Sequence, residues 1–432
     1  MGQHILPVEI FGMIFEFATA CTEEWQFGMW ERYRTLWSHP SGLDNTINQW
    51  EDAVKTRRSL VAVSRSFNRL TIPLLYQSFF PNTSRQVSLF RSALQTRPTL
   101  GEYIKRLSLS LPLQRHIIID FMPILRFCPN IVFYDAELSP SGLKPAPSLR
   151  SLELIYPQGF NDRPMEPMFH LLASILQATP QLEHLGLYQL PSRGNMTNSQ
   201  PFVSIRLEYL RSLHLRIHPP SYLFSAGIIP TVPLFFSLTL PRLEDLVLQG
   251  WGRDEGVLKC IPILWLQHIR QFNATHESIA SCRLDSNHFH RLRKLTLDFS
   301  LASFDPSGNL ASFDPSGNLD EKFPFSQLEE IELVGCATPI RLRQCRTFEA
   351  LYSVFCLCAD DTATPKLRSL STDITESANM DRVLPPPVLK TRINELHSVV
   401  KRILVRGVDP KGLDSSSLQL NLQELIYRLG DK

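Results

Sequence analysis

Along most of the chain one arrangement of positions recurs: apolar-x-x-apolar-x-apolar. It reads Ile104-Lys-Arg-Leu107-Ser-Leu109, Leu149-Arg-Ser-Leu152-Glu-Leu154 and Leu182-Glu-His-Leu185-Gly-Leu187. It continues as Leu210-Arg-Ser-Leu213-His-Leu215, Leu243-Glu-Asp-Leu246-Val-Leu248, Leu292-Arg-Lys-Leu295-Thr-Leu297 and Leu328-Glu-Glu-Ile331-Glu-Leu333. Weaker copies are Leu367-Arg-Ser-Leu370, Val400-Lys-Arg-Ile403-Leu-Val405 and Leu422-Gln-Glu-Leu425-Ile-Tyr427. The alternation x-L-x-L-x predicts a short strand, because successive side chains on a strand point to opposite faces. The earlier leucine closes the turn that feeds the strand. Between the copies, Met168–Thr179 places Phe169, Leu172, Ile175 and Leu176 at helical spacing. Phe348–Leu357 does the same with Phe348, Leu351, Tyr352 and Phe355.

One such unit cannot bury its own leucines, whereas stacked units bury a continuous core beneath a parallel sheet. Strand, turn, helix, turn, repeated, predicts an α/β fold of the leucine-rich-repeat solenoid kind. The spacing is irregular, and the long gap between Leu246 and Leu295 predicts loops or extra helices inserted there. In another such gap the nonapeptide LASFDPSGN occurs twice in tandem, at Leu301–Asn309 and Leu310–Asn318. Asp-Pro-Ser-Gly is a turn sequence, so the duplication reads as growth of a tolerant loop and receives no function. The polar positions inside the strands, Ser108, Glu153, His214, Val247, Thr296 and Glu332, are expected to line the concave face and meet a target there.

The first part of the chain has a different period. After Pro7, which suits the start of a helix, Ile10, Met13, Ile14 and Phe17 follow i, i+3, i+4, i+7 spacing on one face. Phe11 and Phe15 lie beside that stripe, apolar where a solitary surface helix would be polar. Leu60, Val63, Phe67 and Leu70 predict a second helix over about Arg58–Leu70, and Pro73 interrupts it before Leu74-Leu75-Tyr76. Helices this short and this apolar bury little surface by themselves. They need a partner, either another protein or the end of the repeat array.

Composition narrows the function classes. Of 432 residues, 43% are hydrophobic and 20% charged, an ordinary globular balance. Lys plus Arg number 44 against 42 Asp plus Glu, a net charge of +2 spread along the chain, which argues against nucleic acid as a ligand. Eight cysteines occur with no C-x-x-C pair, and Cys356-Leu-Cys358 has no second pair at zinc spacing, so free thiols in a reducing compartment are expected. The beginning of the sequence does not read as a signal peptide, and no apolar run is long enough to cross a bilayer. A soluble protein of the cytoplasm or nucleus is expected, and the sequons at Asn82, Asn195 and Asn273 are then chance matches. Catalytic signatures are missing: no G-x-S-x-G, H-E-x-x-H or G-x-G-x-x-G occurs. His288-Phe-His290 lacks a third ligand, and Gly407-Val-Asp-Pro-Lys-Gly412 has Leu413 where a phosphate loop needs lysine. No cofactor, metal or enzymatic role is expected.

Leu6-Pro7-x-Glu9-Ile10-x-x-x-Ile14-Phe15, followed by Leu60-Val61-x-Val63-Ser64-Arg65-x-Phe67-Asn68-x-Leu70 and Pro73-Leu74-Leu75-Tyr76, resembles an F-box. With the repeats behind it, the chain resembles the F-box proteins with leucine-rich repeats that abound in mushroom-forming fungi. The resemblance implies a helical module over residues 1–85 that docks on the Skp-type adaptor of a cullin-RING (SCF) ubiquitin ligase. It implies an irregular solenoid over 86–432 that selects the target protein. Leu6, Pro7, Ile10, Ile14 and Phe15 would supply the first adaptor helix, and Leu60, Val63, Phe67, Leu70 and Pro73 the second. The chain departs from the family pattern in having Phe67 where many F-boxes have tryptophan. It also carries an insertion at about Cys21–Lys55 with Trp25, Trp30, Trp37 and Trp50. The alternative is a repeat-protein scaffold whose first helices only cap the solenoid.

Overall fold

The recurring apolar positions lie on parallel strands, matched to one another residue for residue. In the computed structural model the described residues are 7–19, 40–81, 83–108, 122–137, 147–155, 166–190, 204–217, 238–249, 261–275, 289–298, 325–334, 354–372, 398–399, 401–403 and 405–408. The chain forms two compact units. The first comprises Met1–Leu190, Gly194–Leu210 and Ser237–Thr239; the second comprises Pro191–Arg193, Arg211–Phe236 and Leu240–Lys432.

The first unit opens with helices α1 (Val8–Thr19), α2 (Pro40–Val63) and α3 (Arg65–Tyr76). The single helix expected over 58–70 is broken at Ser64. This side chain accepts the backbone N–H of Phe67 at 3.1 Å and so caps α3, a role in which serine outcompetes its helix-interior alternative. Pro73 does not interrupt the chain but lies inside α3. It leaves the helix without the bond its own N–H would make. The second half of the expected insertion is therefore helical, and Trp25, Trp30 and Trp37 lie outside the described residues.

Strand β1 (Ser78–Phe79) leads into α4 (Ser84–Thr96). Thr83 and Gln86 cap α4 reciprocally, side chain to backbone, at 3.2 and 3.3 Å. The boundary placed at residue 85 thus falls inside a helix whose Val87, Phe90 and Leu94 are buried, with Phe90 stacked on Phe79. A 3-10 turn over Pro98–Tyr103 follows. Then come β2 (Arg106–Ser108), α5 (Met122–Leu125), β3 (Phe133–Glu137), β4 (Ser151–Ile155), α6 (Glu166–Gln177) and β5 (His184–Leu190). Parallel pairing runs β1-β2-β3-β4-β5, with Leu107, Tyr134, Leu152 and Leu185 in one register. A separate parallel pair joins β6 (Ile205–Arg206) to β8 (Leu238–Thr239).

The second unit stacks β7 (Ser212–Ile217), β9 (Asp245–Gln249), β10 (Gln271–Thr275), β11 (Lys294–Asp298), β12 (Glu330–Val334) and β13 (Ser369–Thr372). Helix α7 (Ile263–Leu266) precedes β10. All neighbours are parallel, and Leu213, Leu246, Phe272, Leu295, Ile331 and Leu370 share one register. The molecule is α/β, built on parallel strands with helices between them.

Besides the two-residue strands, two longer ones escaped the leucine pattern. Ile131-x-x-Tyr134-x-Ala136 and Ile269-x-x-Phe272-x-Ala274 carry it in other apolar residues. The gap from Leu246 to Leu295 therefore holds a strand as well as a short helix. The reverse error lies at Val400–Val405, where residues 398–399, 401–403 and 405 are helical. An apolar-x-x-apolar spacing fits a helix face as well as a strand lead-in. Val399 and Ile403, four apart, are buried while Val405 is 81% exposed. Gly407 ends the segment at φ +72°, a left-handed position that glycine adopts without strain. Arg406 donates to the carbonyls of Cys358 and Thr364 and pairs with Asp361, fastening this segment to the turn before β13. Leu422–Tyr427 lies outside the described residues.

The lead-in to seven of the strands repeats too. The N–H of the motif's first apolar residue reaches the carbonyl three residues earlier: Ile131 to Cys128, Leu182 to Thr179, Leu210 to Leu207, Leu243 to Leu240, Leu292 to Phe289, Leu328 to Phe325 and Leu367 to Thr364. Both members of every pair are buried. The residue before each strand then offers one carbonyl to two N–H groups of the next: Lys105 accepts from Val132 and Phe133 at 2.8 and 2.9 Å, and Arg293 from Glu329 and Glu330 at 2.8 and 3.0 Å.

Candidate functional site

Helix α1 packs on α2 and α3 through the phenylalanines beside its stripe. The Phe11 and Phe15 rings meet Phe67 of α3 at centroid distances of 5.6 and 4.8 Å, the latter edge to face. The Thr19 hydroxyl donates to the Phe15 carbonyl at 2.6 Å, and the buried Arg57 of α2 donates to the Thr19 carbonyl at 2.8 Å. A guanidinium at a helix C-terminus meets the negative end of the helix dipole. With the phenylalanines inside, the i, i+3, i+4, i+7 stripe is left outside: Ile10, Met13, Ile14 and Phe17 are exposed, Met13 by 66% and Phe17 by 88%. Val63, at the end of α2, is exposed as well.

Of the residues expected to face an adaptor, Pro7, Ile10, Ile14 and Val63 are exposed, and Leu60, Phe67, Leu70 and Pro73 are half-buried. Phe15 is 4% exposed and belongs to the module's own core, so it supports the stripe from behind rather than forming part of it. Leu6 lies outside the described residues. Met13 and Phe17 were legible as members of the stripe, and the structure adds them to the accessible surface.

The second candidate surface is the strand face opposite the leucine core. In the first unit most of it is buried, with Ser151 and His184 half-buried. Arg106 is fully buried, with its guanidinium 4.0 Å from the Phe133 ring centroid and 4.9 Å from that of Phe80. Ser108 donates to Asp135 at 2.7 Å, and Glu153, fully buried, meets His184 Nε2 at 3.1 Å. The Tyr188 ring fills the space where a side chain at Gly186 would stand; a Cβ there would come within 2.7 Å of it. Burial, seconded by the neighbouring Asp135 charge, pushes the Tyr134 phenol far up. Ser108 and Glu153, expected to meet a target, are thus inside the protein.

In the second unit some of the same positions are half-buried and others buried. Ser212 donates to Asp245 Oδ2 at 2.7 Å, and His214 Nε2 lies 3.2 Å from the same oxygen and 3.0 Å from Ser212 Oγ. These three residue types are those of a nucleophile relay, but the geometry is not. A relay needs the base and the orienting carboxylate on different ring nitrogens, and here Nε2 faces both oxygens while the serine donates to the carboxylate. The cluster fixes Asp245 instead. Two strands beyond Asp245, Lys294 Nζ bridges Glu332 at 3.0 Å and Glu330 at 3.5 Å, and Thr296 donates to Glu332 at 3.1 Å. Partial burial pulls the Lys294 ammonium down, but hydrogen bonds and charge from Glu332 and Glu330 outweigh it and leave its pKa raised. His214 and Glu332 are half-buried, whereas Thr296 and Val247 are buried.

Burial pushes the Cys128 and Cys358 thiols up to about 12, despite the nearby Arg406 charge at Cys358, and neither is in a disulfide. Among the described residues no group of three or more His, Cys, Asp or Glu converges as a metal site would require. Among them, too, no helix is long and apolar enough to cross a membrane. No protein-family model matches the sequence, and no curated protein is significantly similar to it.

Proposed function

We propose that this chain is the substrate-recognition subunit of an SCF-type cullin-RING ubiquitin ligase. The stripe of α1 docks on a Skp-type adaptor, and the leucine-rich-repeat strands hold the protein to be modified. The observation that carries the reading is the exposed row Ile10, Met13, Ile14 and Phe17 on one face of α1. Large apolar side chains gathered on one surface mark a site that another protein covers. A helix that only capped the repeats would turn that row inward, and here Phe11 and Phe15 take the inward place. The chain supplies binding alone, and ubiquitin transfer belongs to its partners.

The test is adaptor binding by the full chain and by an Ile14→Asp, Phe17→Asp variant, measured by calorimetry against a Skp-type adaptor. Binding by the parent and none by a variant of unchanged circular dichroism is the expected result. A parent that does not bind leaves the scaffold alternative, in which the helices serve the repeats alone.

A further inference from the structure

Among the described residues β13 is the last strand of its array, with β12 as its neighbour. A stacked array is stable when its terminal unit turns an apolar side to the core and a polar side to water. Residues 398–408 have that character. Val399, Ile403 and Val408 are buried, while Ser398, Lys401 and Arg402 are exposed. Val399 and Ile403 stand about one helical turn apart, so the helical part of the segment has an apolar inner face and a charged outer one.

Arg406 joins this segment to the lead-in of β13. Its side chain is only 10% exposed. Nη1 donates to the Cys358 carbonyl and, at 3.2 Å, to Thr364 Oγ1, Nη2 donates to the Thr364 carbonyl at 2.7 Å, and Nε pairs with Asp361. The receiving turn is held independently of the arginine. Asp360 accepts from the N–H groups of Thr362 and Ala363 at 2.8 and 3.3 Å, and the Thr364 hydroxyl donates to the carbonyls of Leu357 and Asp360 at 3.1 and 3.2 Å. Cys358 lies in the last turn of the helix over 354–359, where carbonyls lack helical partners and a cation meets the negative end of the dipole. The Thr364 carbonyl also accepts the N–H of Leu367 at 3.2 Å, the bond that sets the first apolar residue of β13. One planar guanidinium thus grips both the end of a helix and the turn that starts the last strand. Lysine, a single point charge, cannot span those acceptors in one fixed plane.

We propose that residues 398–408 are a closing cap on the strand array and that Arg406 is its latch, so that the end of the array opens and shuts as a unit of its own. The carbonyl side of the latch is shielded, and its Asp361 side faces water, Asp361 being 78% exposed. Local opening of this kind proceeds without unfolding the remaining strands.

Hydrogen exchange read by mass spectrometry on the full-length protein tests it, following peptides over 398–408, over β13 and over β9, four strands back in the same unit. Arg406→Gln should speed exchange of the first two peptides by about tenfold to a hundredfold, the factor that hydrogen bonds to a charged group contribute, and leave β9 at the parent rate. Asp361→Asn, at the exposed end of the latch, should speed them by less than about fivefold. Val405→Ala, an exposed position of the same segment outside the latch, should change nothing. Parent-rate exchange over 398–408 in Arg406→Gln removes the latch and overturns the proposal. So does faster exchange there with β13 unmoved, which removes the cap, and so does equal acceleration of all three peptides, which makes Arg406 a support of the whole unit. If Arg406→Gln does not fold, Arg406→Lys decides by the same three peptides.

Discussion

Phe15 and Phe17 stand two residues apart on α1 and make opposite predictions for one substitution. Phe15 is 4% exposed with its ring 4.8 Å from that of Phe67, whereas Phe17 is 88% exposed. Truncating a buried phenylalanine to alanine removes its transfer free energy and leaves a cavity, together about 3–5 kcal/mol. The edge-to-face pair with Phe67 contributes about 0.5–1.5 kcal/mol of that. Phe17→Ala removes a ring that is already in water, so its cost stays within about 0.5 kcal/mol. Hydrogen exchange read by mass spectrometry on the peptide covering α1 separates the two. A loss of about 3 kcal/mol accelerates exchange through local opening by roughly a hundredfold. Phe17→Ala should exchange at the parent rate while losing adaptor affinity. Were Phe17→Ala to accelerate exchange as much as Phe15→Ala, the stripe would be covered by the protein itself and the docking argument would fail.

Two further outcomes follow from packing and burial. Gly101→Ala places a Cβ 1.8 Å from the Phe127 carbonyl oxygen, a backbone atom that cannot swing away, so thermal unfolding should show a loss of about 2–3 kcal/mol; an unchanged melt would mean the 3-10 turn is not held against that residue. Cys128 and Cys358, with thiols held up to about 12 by burial, should stay unalkylated by iodoacetamide at pH 8 in the native protein and react once urea unfolds it; native labelling detected by peptide mapping would refute their burial.

The strand core was legible because leucine is both apolar and common at the motif's fixed positions: Leu152, Leu185, Leu246 and Leu295 fall where the pattern put them. Tyr134 and Phe272 occupy the same register without being leucine, so a search by residue type passed over β3 and β10. The buried residue three places upstream, such as Thr179, Leu240 or Phe325, would have sharpened the pattern. At Val400 the residue three places upstream is His397, a polar side chain unlike Leu240 or Phe325. Accessibility of the polar ladder was not legible. Glu153 and Glu332 hold equivalent places in their strands, yet one is fully buried and the other half-buried. Strand periodicity states which face a side chain is on and says nothing of what the rest of the chain lays over that face. On α1 the spacing found the stripe, but whether Phe15 or Ile14 turned inward depended on Phe67, a residue on another helix.

Between Asp298 and Glu330 the chain carries both copies of LASFDPSGN, yet Leu295 still faces Ile331 and Leu297 still faces Leu333. Register is written in the few residues leading into each strand, where one carbonyl receives two N–H groups and one buried turn fixes the first apolar side chain. Linker length is a separate variable, and doubling it costs only about 0.6 kcal/mol of closure entropy. A gene encoding such a chain can therefore lengthen, shorten or duplicate its linkers by slippage without moving any strand out of step, so the surface beside the array can diversify while the array itself stays in place.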